Sequence, residues 1–331
     1  MIYKNIGKTD LNASIVALGA FGLGGGNTWS DTKADIRSTA ALLDAATEAG
    51  VNVIDTAPVY GLGTSEELLA AALKGRRQDF ILQTKCGLNW RGTPGIFEYE
   101  RDGKTVVKDL SADAIRKDLE DSLRRLETDY LDVLITHRQS DATPVEETMG
   151  ALMKFVEEGK VRAVGISQAS PAILREYDTF GTVGLVQEKF SLLDDHNKQE
   201  YIPTCEALGV TFQVYSSLEA GALTGPKVLG RTFPEADFRS KFIWFQDAMK
   251  PHMLAMYQKW APLCEKYNCS YANLVQAWTL SASPKMNLLI GIRTIDSLLD
   301  TVKVVEIQLE EKDRLQMEAD AAEVIAQAAT Q

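Results

Sequence analysis

Short apolar runs alternate with longer segments of helical period along the whole chain, and that alternation limits the fold more than any other feature. Eight runs rich in Val, Ile and Leu fall at residues 15–18, 51–54, 80–84, 131–136, 161–166, 183–187, 210–214 and 287–290. Strands that stay apolar on successive residues are buried on both faces, the pattern of a parallel sheet with helices outside it. Eight such βα units can close on themselves, so the pattern predicts an α/β fold, a (β/α)8 TIM barrel. The 331 residues suit one barrel, and residues 1–331 read as a single domain.

An open doubly wound sheet would carry a G-x-G-x-x-G turn after its first strand. The nearest match, Gly22-Leu23-Gly24-Gly25-Gly26, lacks that spacing and runs into Asn27-Thr28-Trp29 rather than a helix start. Before the first barrel run, residues 2–6 and 11–16 flank Gly7-Lys8-Thr9-Asp10, which reads as an N-terminal β-hairpin able to plug one barrel end. Thr64-Ser65-Glu66-Glu67 has capping-box form, Ser111-Ala112-Asp113 opens a long amphipathic helix, and Thr143-Pro144-Val145-Glu146-Glu147 opens another. Residues 216–250 break the rhythm; with Gly221, Gly225 and Gly230 they read as a flap ordering over a ligand. From Leu309 the Glu- and Ala-rich tail reads as a C-terminal extra helix.

A formal charge of -11 disfavours nucleic acid and anionic membrane as partners. No apolar stretch approaches ~18 residues, and Met1-Ile2-Tyr3-Lys4-Asn5 has no leader character, so the expectation is a soluble, cytoplasmic protein. Four cysteines in so long a chain make no disulfide framework, and with three histidines no metal site is expected. Cys86 beside Lys85 reads as a small buried apolar group rather than a reactive thiolate. The oligomeric state is not legible.

Three of the apolar runs end on a polar residue: Asp55, Lys85 and His137. At the carboxyl ends of parallel strands these would share one rim, with Tyr60 five residues beyond Asp55. Four groups able to handle a proton would then meet at one cavity.

The stretches 54–67, Gln83-Thr84-Lys85, 118–137 and 158–167 together resemble the aldo-keto reductase family over essentially the whole chain. Residues 85–90 and 215–225 resemble its bacterial branch related to inositol-operon and general-stress reductases. The resemblance implies the (β/α)8 barrel, a metal-free, NADPH-dependent reduction of aldehydes or ketones or its reverse, and a catalytic tetrad of Asp55, Tyr60, Lys85 and His137. Hydride arriving at a carbonyl carbon leaves charge on oxygen, so the site needs a nearby proton donor. Tyr60 is the expected general acid, its pKa of about 10 lowered by Lys85, which Asp55 keeps charged. His137 either donates to the carbonyl oxygen or shares the tyrosine proton.

The same resemblance assigns Ser167 and Gln187 to the nicotinamide carboxamide, with Gln168 where the family commonly has asparagine. Tyr215 would stack on the ring, and Ser216, Ser217 and Leu218 would surround the pyrophosphate. Gly291 and Arg293 fall in the loop that holds the adenosine 2'-phosphate; Ser297 and Thr301 stand where the family usually has longer adenine-binding side chains. NADP (NADPH) is therefore the expected cofactor, with NAD also possible. Trp29, Trp90, Arg91, Arg138 and Phe245 are the candidate substrate contacts, Arg138 standing where an aromatic often follows the histidine, which suits a sugar-like, small polar or anionic carbonyl. Two other readings remain: an aldose or polyol dehydrogenase working oxidatively, and a cofactor-binding regulatory subunit whose redox state signals to a partner.

Overall fold

A computed structural model describes residues 1–24, 34–235, 237–291 and 293–330. Eight parallel strands close into a barrel: β3 (Val16–Gly19), β4 (Val53–Asp55), β5 (Ile81–Cys86), β9 (Leu131–Thr136), β10 (Val161–Ser167), β11 (Val183–Lys189), β12 (Thr211–Tyr215) and β13 (Met286–Gly291). Each coincides with one of the eight apolar runs to within a few residues. Side chains on these strands alternate between two environments. Ala17, Val53, Ile81, Val133, Ile135, Ala163, Leu185 and Leu289 fill the barrel interior, while Leu82, Leu134, Val164 and Val186 face the surrounding helices. Every fully buried Leu, Ile or Val of this kind contributes about 1.5–3 kcal/mol relative to exposure.

Helices α1 (Ile36–Glu48), α2 (Thr64–Ala72), α3 (Ala112–Arg125), α4 (Val145–Glu157), α5 (Pro171–Phe180), α6 (Tyr201–Leu208), α7 (Lys250–Lys266), α8 (Tyr271–Ser281) and α9 (Ile295–Thr301) pack outside the barrel. The tail forms α10 (Glu311–Ala328), which lies against α7 through residues that include Met317, Ala321 and Val324.

At the amino end, β1 (Tyr3–Asn5) pairs with β2 (Asn12–Ser14), and the hairpin inserts Ile6, Leu11 and Ala13 into the interior cluster. The predicted plug is there. Its turn donates Gly7 N–H to Thr211 Oγ1 at 2.8 Å, and Gly7 is left-handed (φ +54°) where an added Cβ would stand 2.4 Å from the Gly184 oxygen.

Three expectations need correction. The capping box does not form, because α2 begins at Thr64 itself, after the left-handed Gly63, and Glu66 turns inward instead. Residues 216–250, expected as a flap that orders over a ligand, are ordered against the barrel by themselves: the segment contains four short 3₁₀ turns and buries Ala222, Leu223, Trp244 and Met249 in the core. Beyond Lys85 the chain builds an unpredicted sheet in which β8 (Lys104–Lys108) pairs with both β6 (Leu88–Asn89) and β7 (Ile96–Arg101). Among the described residues no helix is long and apolar enough to cross a membrane.

Candidate active site

The carboxyl ends of β4, β5 and β9 bring Asp55, Lys85 and His137 to one rim, and the turn after β4 adds Tyr60. Lys85 is the hub. Its Nζ donates to Asp55 Oδ1 at 2.5 Å, to the Thr56 carbonyl at 2.8 Å and to Tyr60 Oη at 3.1 Å. An ammonium has three hydrogens and accepts nothing, so all three are committed and Tyr60 Oη must accept. Asp55 Oδ2 in turn accepts from Gln187 Nε2 at 2.6 Å. The Tyr60 ring meets Phe21 and His137 edge to face, with centroids 5.0 and 5.9 Å apart.

Neighbouring residues hold these groups in place. Thr84, one residue before Lys85, donates to the fully buried Glu66 at 2.6 Å, which also accepts from Arg125 at 2.6 Å. Behind Lys85, Asp118 accepts the Gly87 N–H at 2.7 Å and an Arg91 hydrogen at 2.5 Å. Gln139 ties the ends of β9 and β10 together by donating to Thr136 Oγ1 and to the Ser167 carbonyl.

Burial sets the electrostatics. It pushes the Tyr60 phenol above its ordinary pKa although Lys85 draws it down, so the expected net lowering does not occur. Burial would lower Lys85, but the charges of Asp55 and Tyr60 raise it and keep it protonated. Asp55 is lifted by burial and pulled back by Lys85 and Gln187. His137 is held well below its ordinary range by burial, then by the charges of Lys85 and Arg138, so the imidazole is neutral. Its Nδ1 is buried without a hydrogen-bond partner.

Above these groups lies a cavity of about 360 Å³ whose walls include Phe21, Val59, Leu88, Tyr99, Arg101 and Arg138. Arg138 bonds Glu98 at 2.6 Å and Gln168 at 2.8 Å. A larger hollow, which Arg77, Arg124 and Tyr130 help to line, lies at the opposite face of the barrel, remote from the proton-handling groups. Of the five candidate substrate contacts, Arg138 is at the cavity. Arg91 turns away to Asp118 and Asp121, Trp90 packs with Val59 and Leu88, and Phe245 is buried against Phe233 and Phe242. Trp29 lies outside the described residues. Phe21, Tyr99 and Arg101 escaped the sequence reading; the Asp102-Gly103 turn between alternating segments was the signal that locates the last two.

A second line of residues follows the rim. Ser167 donates to the Gln187 carbonyl at 2.9 Å, and Gln187 spends both amide hydrogens, on Asp55 and Gln213, leaving its amide oxygen without a donor. Gln168 is exposed and left-handed (φ +51°). Tyr215 ends β12 half-buried, and after it Ser216, Glu219 and Ala220 all have φ between 47° and 58°. Glu219, fully buried, holds this bend by accepting from Ser191, Lys189 and Trp244. Between them Ser217 Oγ is buried with no partner, beside Leu218. Past β13, the exposed Arg293 covers Gly22, where an added Cβ would stand 3.2 Å from Arg293 Cδ. Gly291 and Ser297 are exposed, whereas Thr301 is buried at the end of α9. An orphaned hydroxyl, a free amide oxygen and a strained backbone on one rim suit an elongated polar ligand.

No group of His, Cys, Asp and Glu able to hold a metal occurs among the described residues. The aldo/keto reductase family model matches residues 16–320. The NADH-specific methylglyoxal reductase of Escherichia coli is 34% identical over 312 residues, covering 93% of this chain and 94% of that protein. Aldo-keto reductase YhdN of Bacillus subtilis is 31% identical over 85% of this chain and 81% of its own length. Among solved structures, the glycerol dehydrogenase AKR11B4 of Gluconobacter oxydans superposes with a TM-score of 0.86 at 30% identity, covering 97% of this chain and 95% of that one. With the family match over most of the chain and the barrel shared with these relatives, the chain belongs to the aldo/keto reductase family and is an oxidoreductase of that class.

Proposed function

We propose that this chain is a nicotinamide-dependent reductase of small polar aldehydes and ketones in which Tyr60 is the general acid. One observation carries the reading. Because Lys85 can only donate, Tyr60 Oη accepts from it, and the phenolic hydrogen is left to point elsewhere, toward the cavity. A carbonyl oxygen in that cavity would receive a proton from Tyr60 as charge develops on it. The Lys85 ammonium then stabilises the phenolate left behind, and Asp55 and the Thr56 carbonyl keep that ammonium oriented. A neutral His137 favours hydrogen bonding to the carbonyl oxygen over proton sharing, which would need an imidazolium.

A nicotinamide coenzyme, when bound, supplies the hydride. Ser167, Gln187 and Gln168 would hold its carboxamide and Tyr215 the ring face. Ser216, Ser217 and Leu218 would hold the diphosphate, with the orphaned Ser217 hydroxyl the clearest fit. Gly291, Arg293, Ser297 and Thr301 would border the adenosine end. The exposed Arg293 charge supports NADP(H), since a guanidinium suits a 2'-phosphate. NADH is the second reading, supported by the E. coli relative's stated specificity.

The cavity volume and its mixture of Glu100, Arg101 and Arg138 suit a short, polar carbonyl such as methylglyoxal. Polyol oxidation is the second direction, in keeping with the glycerol dehydrogenase neighbour. A phenol raised by burial favours the protonated form and hence reduction at neutral pH. The test is Tyr60→Phe, assayed over a carbonyl panel with coenzyme binding followed by fluorescence. Turnover should fall about 10²–10⁴-fold with coenzyme affinity unchanged; comparable turnover would remove Tyr60 as the acid. Arg293→Ala should weaken NADPH far more than NADH, and equal losses would remove the phosphate role.

A further inference from the structure

Beneath the cavity the barrel interior is not wholly apolar. Gln187 on β11, Gln213 on β12 and Asn287 on β13 are register neighbours on adjacent strands, and all three are buried. Their amides form one chain. Gln187 Nε2 donates to Asp55 Oδ2 at 2.6 Å and to Gln213 Oε1 at 2.7 Å; Gln213 Nε2 donates to Asn287 Oδ1 at 2.9 Å; Asn287 Nδ2 donates to the Ser14 carbonyl at 2.7 Å. Strands β11 and β4 stand four places apart in the ring of eight, so Gln187 reaches across the barrel to Asp55.

Both ends of this chain only accept: a carboxylate at one, a backbone carbonyl of the hairpin at the other. The Ser14 carbonyl requires Asn287 to present its amino group, which turns the Asn287 oxygen toward Gln213. Gln213 must then present its own amino group there and its oxygen to Gln187. Every amide is thereby fixed in direction from the hairpin to Asp55, because inverting one would set oxygen against oxygen or hydrogen against hydrogen in a dry place.

We propose that Gln213 is a positioning residue of the reaction. With Asn287 behind it, Gln213 holds Gln187 in the orientation that gives an N–H to Asp55 and reserves the Gln187 amide oxygen for the amino group of a nicotinamide carboxamide. The two tasks are linked through one side chain: an inverted Gln187 would withdraw a hydrogen bond from Asp55 and offer the coenzyme a donor where an acceptor is needed. Gln213 touches neither substrate nor coenzyme. The inference rests on the nicotinamide reading above.

Gln213→Glu and Gln213→Leu, beside wild type and Tyr60→Phe, test it through coenzyme dissociation constants, kcat between about pH 5 and pH 9, and thermal midpoints. A protonated glutamic acid reproduces both contacts, accepting from Gln187 and donating its O–H to Asn287; the ionised form cannot donate and sets a negative charge near Asp55. The Gln213→Glu variant should therefore approach wild type at low pH and lose coenzyme affinity and kcat as pH rises, through a limb that wild type lacks. Gln213→Leu should weaken coenzyme binding on the order of tenfold at every pH, the cost of misdirecting one buried hydrogen bond. A Gln213→Glu profile parallel to wild type, or wild-type coenzyme affinity in a folded Gln213→Leu variant, overturns the proposal. If Gln213→Leu does not fold, the pH limb of Gln213→Glu decides alone. Turnover surviving in Tyr60→Phe while that limb is present would instead overturn the general-acid reading and leave the role of Gln213 standing.

Discussion

At the amino end of the barrel Ile6, Leu11 and Ala13 close over apolar strand residues, and the hairpin's polar atoms find partners in Thr211 and Asn52. At the carboxyl end the same strands carry a buried ammonium, a buried carboxylate and a neutral histidine, with Nδ1 of His137 and Oγ of Ser217 lacking partners. Five left-handed non-glycine residues, Leu62, Gln168, Ser216, Glu219 and Ala220, lie in loops leaving carboxyl strand ends, against Glu127 in the connection that enters β9 at the amino end. The hairpin end is closed by apolar packing and paired polar atoms, whereas the carboxyl end keeps unpaired polar atoms and strain around one cavity, in reserve for a ligand. Substitutions at the two ends should therefore separate stability from activity.

The largest effect should come from Lys85→Met. It strands Asp55, so turnover should fall by orders of magnitude and unfolding free energy by about 3–5 kcal/mol, read by denaturant titration. Unchanged stability would mean that the pair carries little of the carboxyl end's organisation. Next, Gly7→Ala should cost about 2–3 kcal/mol, since the left-handed turn and the Gly184 oxygen both oppose a Cβ. Its kcat per folded molecule should match wild type; a lowered kcat would break the division between the ends.

Glu188 sharpens the comparison through pH. Burial lifts its carboxyl from 4.5 to about 7, while the Ala169 N–H bond at 2.7 Å pulls the other way. The folded state then binds more protons than the unfolded one between those values, so this group's contribution is present at low pH and lost as pH rises through about 7. Glu188→Gln should remove that decline, worth on the order of 1–3 kcal/mol between acid and alkaline limits; thermal midpoints against pH test it, and parallel curves would contradict it. The smallest effect is expected of Ser217→Ala. Deleting an unpartnered buried hydroxyl should leave the free enzyme as stable or slightly more so, yet weaken coenzyme binding by about 1 kcal/mol. A loss of stability with intact affinity would show the hydroxyl serving the fold.

The barrel was legible because strands buried on both faces write continuous apolar runs, and their polar last residues mark the rim. The hairpin of β7 and β8 is hidden from a reading in βα units, which leaves residues 86–110 as a connection although Asp102-Gly103 stands between alternating segments. Side-chain direction in loops was the weakest part. Arg91 and Phe245 fall in loops expected on the cavity side, but Arg91 is claimed by Asp118, distant along the chain, and Phe245 by the aromatic cluster of Phe233 and Phe242 within its own loop. Thr64 failed as a cap for a similar reason: Glu66, inside its motif, is drawn inward by Thr84 and Arg125. A polar residue within an apolar strand, such as Gln213, was visible, but the amides it joins are set by register around the barrel.

The side sheet begins three residues after Lys85, and its far turn, Asp102-Gly103, is exposed and touches nothing near the glycine. Lengthening an exposed turn costs only logarithmically with added residues. Tyr99 and Arg101, which wall the cavity, could thus be moved, replaced or carried on a longer arm while the barrel strands keep their register. In evolutionary terms the cavity wall is the part of this molecule that can be rewritten without renegotiating the fold, and a library confined to residues 96–105 is where altered substrate range should be sought first.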